Sequence, residues 1–291
     1  VKTIQAEPLF KVDNILGEGP LWHPGENHLY WVDIDAGALF TSNADMNDYT
    51  KKYFDTTLGA FCFKKAGGFI LATGKGFLAW DGEQTQPSLI WNPLPTRSAV
   101  RLNDGKVDPA GRFWAGSLDT EQHQAELYRL DPDDSQHTLL QQLGIANGLD
   151  WSPDQKTMYF TDSYQYTIFA FDYDQETGAI QNQRPFIQLP KTSAEIVPDG
   201  LCVDAEGCIW SAEWNGWGVT RYTPQGKPLL RINVPAQRVT SCCFGGEDGT
   251  QLFITTARTG ISMAELEAQP NAGAVFRVQT DTAGQPTHYF G

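Results

Sequence analysis

The chain has 291 residues, of which 41% are apolar and 12% aromatic, and it carries a formal net charge of −14. So acidic a chain, with no basic stretch, is unsuited to nucleic acid or to an anionic membrane surface, since both need clustered lysine and arginine. No apolar run approaches the roughly 20 residues needed to span a bilayer.

In chain order, a segment from Lys2 to Lys11 is followed by six runs of one kind, each an aromatic or aliphatic pair and then small or hydroxyl residues. They are Leu29–Asp33, Phe69–Thr73, Phe113–Ser117, Met158–Asp162, Ile209–Glu213 and Leu252–Thr256. Their second residues lie 40, 44, 45, 51 and 43 positions apart, a period that marks a repeat architecture. Clusters of Gly, Pro, Asp and Asn precede the runs, from Pro24–Asn27 to Gly246–Gly249, and supply the fixed or positive φ angles that reverse a chain. A further strand signal follows each run: Ala38–Phe40, Gly76–Trp80, Glu126–Leu130, Thr167–Phe171, Gly218–Tyr222 and Gly273–Arg277.

Each copy therefore reads as a strand meander, and a four-stranded sheet of about 45 residues repeated radially is a propeller blade. The expectation is an all-β chain, a six-bladed β-propeller of four-stranded antiparallel blades, forming one domain over residues 1–291. Ring closure falls to the amino terminus: Lys2 to Lys11 is expected to pair as an outer strand of the last blade, beside Thr287–Phe290 or in its place. The one helix expected runs from Ser262 to Gln269, where Ser262 and Glu265 form a capping-box pattern. Five cysteines (Cys62, Cys202, Cys208, Cys242, Cys243) form no even framework and read as buried reduced thiols. With no signal-peptide pattern in Val1–Gln5, a cytoplasmic protein is expected.

The repeat also sets a register. Four residues before the apolar anchor of each inner strand stand Glu18, Gly59, Asn103, Asn147, Asp199 and Thr240, separated by 41, 44, 44, 52 and 41 positions. Inner strands line the axial channel of a propeller, so these six positions form one ring at its mouth, open at Gly59 and Thr240 and carrying side-chain oxygens at the other four. Taken singly, an Asn-Gly or Asp-Gly step is a turn. Turns, however, have no need to fall at one offset from one strand. Gly19, Gly148 and Gly200 follow their ring residues directly, and Gly105 follows Asp104, as a bend or a close backbone approach requires.

Glutamate, aspartate and asparagine oxygens without cysteine or histidine favour one hard divalent cation, Ca²⁺, Mg²⁺ or Mn²⁺, over Zn²⁺ or Fe²⁺. Two or three protein ligands leave positions for water and substrate, the open arrangement that catalysis uses. Arg101 and Asn103, two residues apart on a strand, share a face and can address one ligand together. Asp199 can hold a metal and accept a proton from a neighbouring water.

The motifs Leu16–Trp22, Arg101–Lys106, Gly111–Ser117, Ile145–Leu149 and Pro198–Leu201 resemble the family of senescence marker protein (regucalcin), gluconolactonases and luciferin-regenerating enzyme, and look most like its bacterial sugar-lactone hydrolases. By position, the resemblance implies metal ligation by Glu18, Asn147 and Asp199, substrate contact by Arg101 and Asn103, and a further substrate contact at Glu121. The implied reaction is metal-dependent hydrolysis of a sugar lactone to its aldonic acid in carbohydrate metabolism. The metal would polarise the carbonyl while Asp199 assists the attacking water. The implied partner is a neutral small molecule, and the protein itself is expected as a monomer or weak homo-oligomer.

Other chemistries lack their motifs. There is no Gly-x-Ser-x-Gly elbow and no phosphate-cradling glycine loop before a helix, and His23, His28, His123, His137 and His288 show no metal-ligand spacing. Asp172–Gly178 has its glycine one place late for a calcium loop and reads as an acidic hairpin turn. Two alternatives stay open: a metal-dependent esterase acting on other lactones or phosphotriesters, and a non-catalytic calcium-binding propeller. The first usually places a histidine near its metal; the second has no use for Arg101 and Asn103 in the channel.

Overall fold

The computed structural model describes residues 1–95 and 100–291. Its strands gather into six sheets, one for each expected blade of a six-bladed β-propeller. The inner strands are Gly17–His23, Leu58–Phe63, Arg101–Val107, Ala146–Trp151, Val197–Val203 and Arg238–Gly245, and the blades are numbered here in that order. All six aromatic runs form the second strands. The third strand of blade 6 differs from expectation: it is Val275–Gln279 and begins two residues past Gly273, which turns the chain at a φ of +83°.

Local chemistry explains the hairpins. In blade 3, Asp108 Oδ1 accepts the amides of Ala110 and Arg112, both at 2.9 Å, while Oδ2 accepts the indole N–H of Trp114 at 3.0 Å. Asp204 repeats the device in blade 5 with Glu206, Cys208 and Trp210. One carboxylate thus closes the turn and ties it to the buried tryptophan of the strand that follows. The apolar side chains sort into six clusters, one at each seam between neighbouring blades; Trp31, Trp114, Trp151 and Trp210 are almost wholly buried in them. The core is therefore a ring of seams, and the axis is left for polar groups.

The amino terminus closes the ring, but as two strands instead of one. Glu7–Phe10 pairs antiparallel with Val275–Gln279 as the outer strand of blade 6, as expected, whereas Lys2–Gln5 adds a fifth, parallel strand to blade 5. The segment at Thr287–Phe290 joins no outer blade edge; its Phe290 instead makes a parallel bridge with Lys64, at the end of the inner strand of blade 2. It crosses the far end of the channel, where Gln285 Nε2 donates to the Trp151 carbonyl, Thr287 Oγ1 to that of Trp22, and the Phe290 amide to that of Phe63. Outer edges are blunted by the amino terminus, which frees the carboxy terminus to strap the bottom of the ring.

The helix spans Met263–Ala268 with the expected capping box, and all five cysteines are free and buried. Among the described residues, no helix is long and apolar enough to cross a membrane.

Candidate active site

Every inner strand slips register against its neighbour at the ring position. The shifts fall between Glu18 and Leu21, Leu58 and Ala60, Leu102 and Gly105, Ala146 and Leu149, Pro198 and Leu201, and Val239 and Ser241. These are β-bulges, which bend a strand and re-aim a side chain. The glycines serve close packing: a Cβ on Gly148 would meet the Asp199 carbonyl oxygen at 2.8 Å, and one on Gly59 would run into the backbone of Leu102.

Glu18, Arg101, Asn103, Asn147 and Asp199 line one pocket of about 350 Å³, together with Asp35, Ser163, Thr259 and the apolar walls Leu16, Leu118, Ile145, Val197 and Trp214. The volume suits a small molecule, since such sites span roughly 300–1,000 Å³. Glu121 is not among the lining residues; it stands on an exposed turn three residues past Leu118. Of the two ring positions expected to be open, Thr240 is occupied in tying strands together: its hydroxyl donates to the Gly17 carbonyl at 2.6 Å.

A hydrogen-bond chain joins three blades across the pocket floor. Arg101 Nη1 donates to Asn103 Oδ1 at 2.5 Å, and Asn103 Nδ2 donates to Asn147 Oδ1 at 2.9 Å and to the Ala146 carbonyl at 2.8 Å. Asn147 Nδ2 donates to Ser163 Oγ at 2.8 Å, and that hydroxyl donates to the Pro198 carbonyl at 2.6 Å. Ser163 was absent from the candidates read from sequence. It lies in no inner strand but opens a 3₁₀ turn, Ser163–Gln165, after the second strand of blade 4, and its one signal was a hydroxyl directly after Asp162.

Charge in the site is unbalanced. Burial holds the Glu18 carboxyl well above its ordinary value, and the charges of Asp199 and Asp104 add to the effect. Asp199 is raised in the same way, by burial and then by Asp104. Asp104, just below the ring, is pushed up to about 6 by burial. Arg101 opposes the rise at Glu18 and Asp199, and Lys106 that at Asp104; Arg101 is itself lowered by burial and pulled back by Asp35, Glu18 and Asp199. Deeper in the channel Lys106 is satisfied by Asp150 at 2.7 Å, whose Oδ2 also accepts the Val203 amide.

The donor set can therefore be tested against a metal. Burial, with the charge of Asp104 beside it, raises the proton affinity of both carboxylates, Glu18 and Asp199, next to an amide oxygen, and a divalent cation supplies the counter-charge that stabilises their ionised forms. Among the described residues no group of three or more His, Cys, Asp and Glu forms a metal cage, because the third oxygen here belongs to Asn147. The residues fit a hard cation with open coordination positions.

Comparison with known proteins agrees with the architecture. The family model for the SMP-30/gluconolactonase/LRE-like region matches residues 16–258. Regucalcin from Sus scrofa is 36% identical over 286 residues, covering 96% of this chain and 95% of its own. A solved structure described as a calcium-binding protein, regucalcin, from Agrobacterium tumefaciens superposes with a TM-score of 0.94 at 24% identity, covering 100% of this chain and 99% of its own. That of a luciferin-regenerating enzyme does so with a TM-score of 0.88 at 29% identity, covering 98% of both chains.

Proposed function

The chain belongs to the SMP-30/gluconolactonase/LRE-like family, and from that membership we propose that it hydrolyses a sugar lactone to the aldonic acid, with one divalent cation bound by Glu18, Asn147 and Asp199. The observation that carries this reading is the convergence of Glu18, Arg101, Asn103, Asn147 and Asp199 in one pocket, four of them at equivalent bulges of different blades. When bound, a hard cation there polarises a carbonyl and stabilises the charge that develops on its oxygen.

The rest of the work falls to the chain's own groups. Arg101 presents a guanidinium that Asn103 orients at 2.5 Å, a rigid donor for ring and hydroxyl oxygens of the substrate. Asp199 is the base: buried, and kept ionised by the counter-charge of a bound cation, its carboxylate takes a proton from the attacking water. The resulting acid then protonates the departing ring oxygen as the C–O bond breaks. The apolar walls Leu118, Ile145, Val197 and Trp214 exclude competing water and accept the C–H face of a sugar ring. Glu121, on its exposed turn, contacts only a substrate that extends past the rim.

The test is to strip the protein with a chelator, restore single divalent metals and follow acid release from a panel of pentono- and hexonolactones, with Asp199→Ala as control. Metal-restored turnover that is lost in the control is expected. Full activity in the control, or turnover indifferent to metal, would refute the mechanism, and cation binding without turnover would favour a calcium-binding scaffold.

A further inference from the structure

The chain of hydrogen bonds across the pocket floor has a fixed polarity. A guanidinium has only donors, so the atom of Asn103 facing Arg101 must be its oxygen. The Asn103 amide nitrogen then faces Asn147 Oδ1, which turns the Asn147 nitrogen toward Ser163. At the other end a backbone carbonyl, that of Pro198, only accepts, so the Ser163 proton must point there and its lone pair toward Asn147. Asparagine and serine between them could run in either direction, but the two ends impose the same one.

The consequence is chemical. With its nitrogen held by Ser163, the Asn147 amide keeps its oxygen on the side of Asn103 and retains one lone pair for a ligand. Reversed, it would direct N–H donors at a cation. Ser163 is 3% exposed, and its own amide donates to the Ile145 carbonyl at 3.1 Å, so the hydroxyl sits on a rigid base. Its donated bond also reaches the residue immediately before Asp199.

We infer that Ser163 is a positioning residue for the cation site: it sets which face of the Asn147 amide meets the metal and braces the strand that carries Asp199. The inference rests on the proposed role of Asn147 as a ligand and extends it to a residue outside the ring. Losing a partner that orients a metal ligand typically weakens binding by about 10–100-fold.

The test is titration of chelator-stripped protein with Mn²⁺, followed by calorimetry or by the paramagnetic signal of free Mn²⁺, with no substrate present. Ser163→Ala should weaken Mn²⁺ binding by about 10-fold or more, and Ser163→Thr, which keeps the hydroxyl, should restore most of it. The decisive arm is the Asn147→Asp background. A carboxylate has oxygen on both sides and no wrong orientation, so Ser163→Ala should there cost less than about threefold. An equal loss in both backgrounds, or no loss in either, overturns the positioning role while leaving the cation site intact. Failure of the unsubstituted protein to bind Mn²⁺ overturns the cation site itself, and this inference with it. Thermal melts in chelator identify any variant that fails to fold, and Ser163→Cys then supplies the same contrast with a weaker hydrogen-bonding group.

Discussion

Asp104 offers the sharpest check on the electrostatics of the channel. Its side chain is 8% exposed, its Oδ1 accepts the Gly105 amide at 2.7 Å, and burial raises its ionisation from 3.8 to about 6. The folded protein therefore holds this proton more tightly than the unfolded chain does. Below pH 4 both states are protonated and the group is neutral in its effect; between pH 4 and 6 folding stability is lost as the unfolded chain ionises first; above pH 6 the full cost is present. A shift of roughly two units at 1.36 kcal/mol each makes that cost about 3 kcal/mol. Asp104→Asn keeps the acceptor for Gly105 and removes the charge. In chelator, urea unfolding should show the variant equal to the parent at pH 4 and more stable by about 2–3 kcal/mol at pH 7.5. With Mn²⁺ added the gain should shrink, because the deleted charge is one of three buried carboxylates that attract the cation. A stability difference that stays flat from pH 4 to 8 would refute the reasoning.

Three further outcomes are expected. Arg101→Lys loses the planar fork and its 2.5 Å bond to Asn103, and kcat/KM for the lactone turned over should fall about 10–100-fold, roughly 1.4–2.8 kcal/mol. Gly148→Ala drives a Cβ against the Asp199 carbonyl and the Leu201 amide, and should lower stability by about 1–3 kcal/mol or more in a thermal melt, with loss of activity because Asp199 moves. Phe290→Ala empties a buried anchor of the carboxy-terminal strap, at 8% exposure between blades 2 and 3, and should cost about 3 kcal/mol in urea unfolding.

The blades were legible because their signal is local and repeated. An aromatic pair before small residues marks a strand packed on both faces, and Asp108 and Asp204 sit where a turn must bond both its own backbone and a tryptophan two strand positions inside. The ring was legible for the same reason: a constant offset survives without knowledge of the fold. What lay outside was whatever depends on contacts distant in sequence. Lys2–Gln5 divides from Glu7–Phe10 because the edge of blade 5 lies open beside that of blade 6, and nothing in either segment records it. The strap at 285–290 bonds strands more than 80 residues away. Ser163 belongs to the site only because the Pro198 carbonyl lies 35 residues on in sequence and 2.6 Å away in space. Glu121 shows the converse: a position carried by resemblance alone stands on an exposed turn, while Trp214 and Asp35, which line the pocket, had no repeat to announce them.

The bulges explain why a ring of side chains exists at all. Side chains of a regular strand alternate between the two faces of its sheet, and in a propeller both faces of every blade are covered by seams. The channel runs along the inner edge, where a regular strand presents only backbone N–H and C=O groups. One extra residue in each inner strand breaks the alternation and turns a side chain toward the axis, at the expense of ladder hydrogen bonds. Those freed carbonyls are satisfied from the preceding blade: Thr240 bonds that of Gly17, Asn103 that of Ala146, and Ser163 that of Pro198. Each of these polar residues thus reaches across a seam and replaces a hydrogen bond that the next blade's bulge costs. Changing one ring residue should consequently disturb the seam beside it as well as the ligand above it. The glycines at 59, 148 and 200 complete the arrangement by letting neighbouring inner strands approach where a side chain would hold them apart.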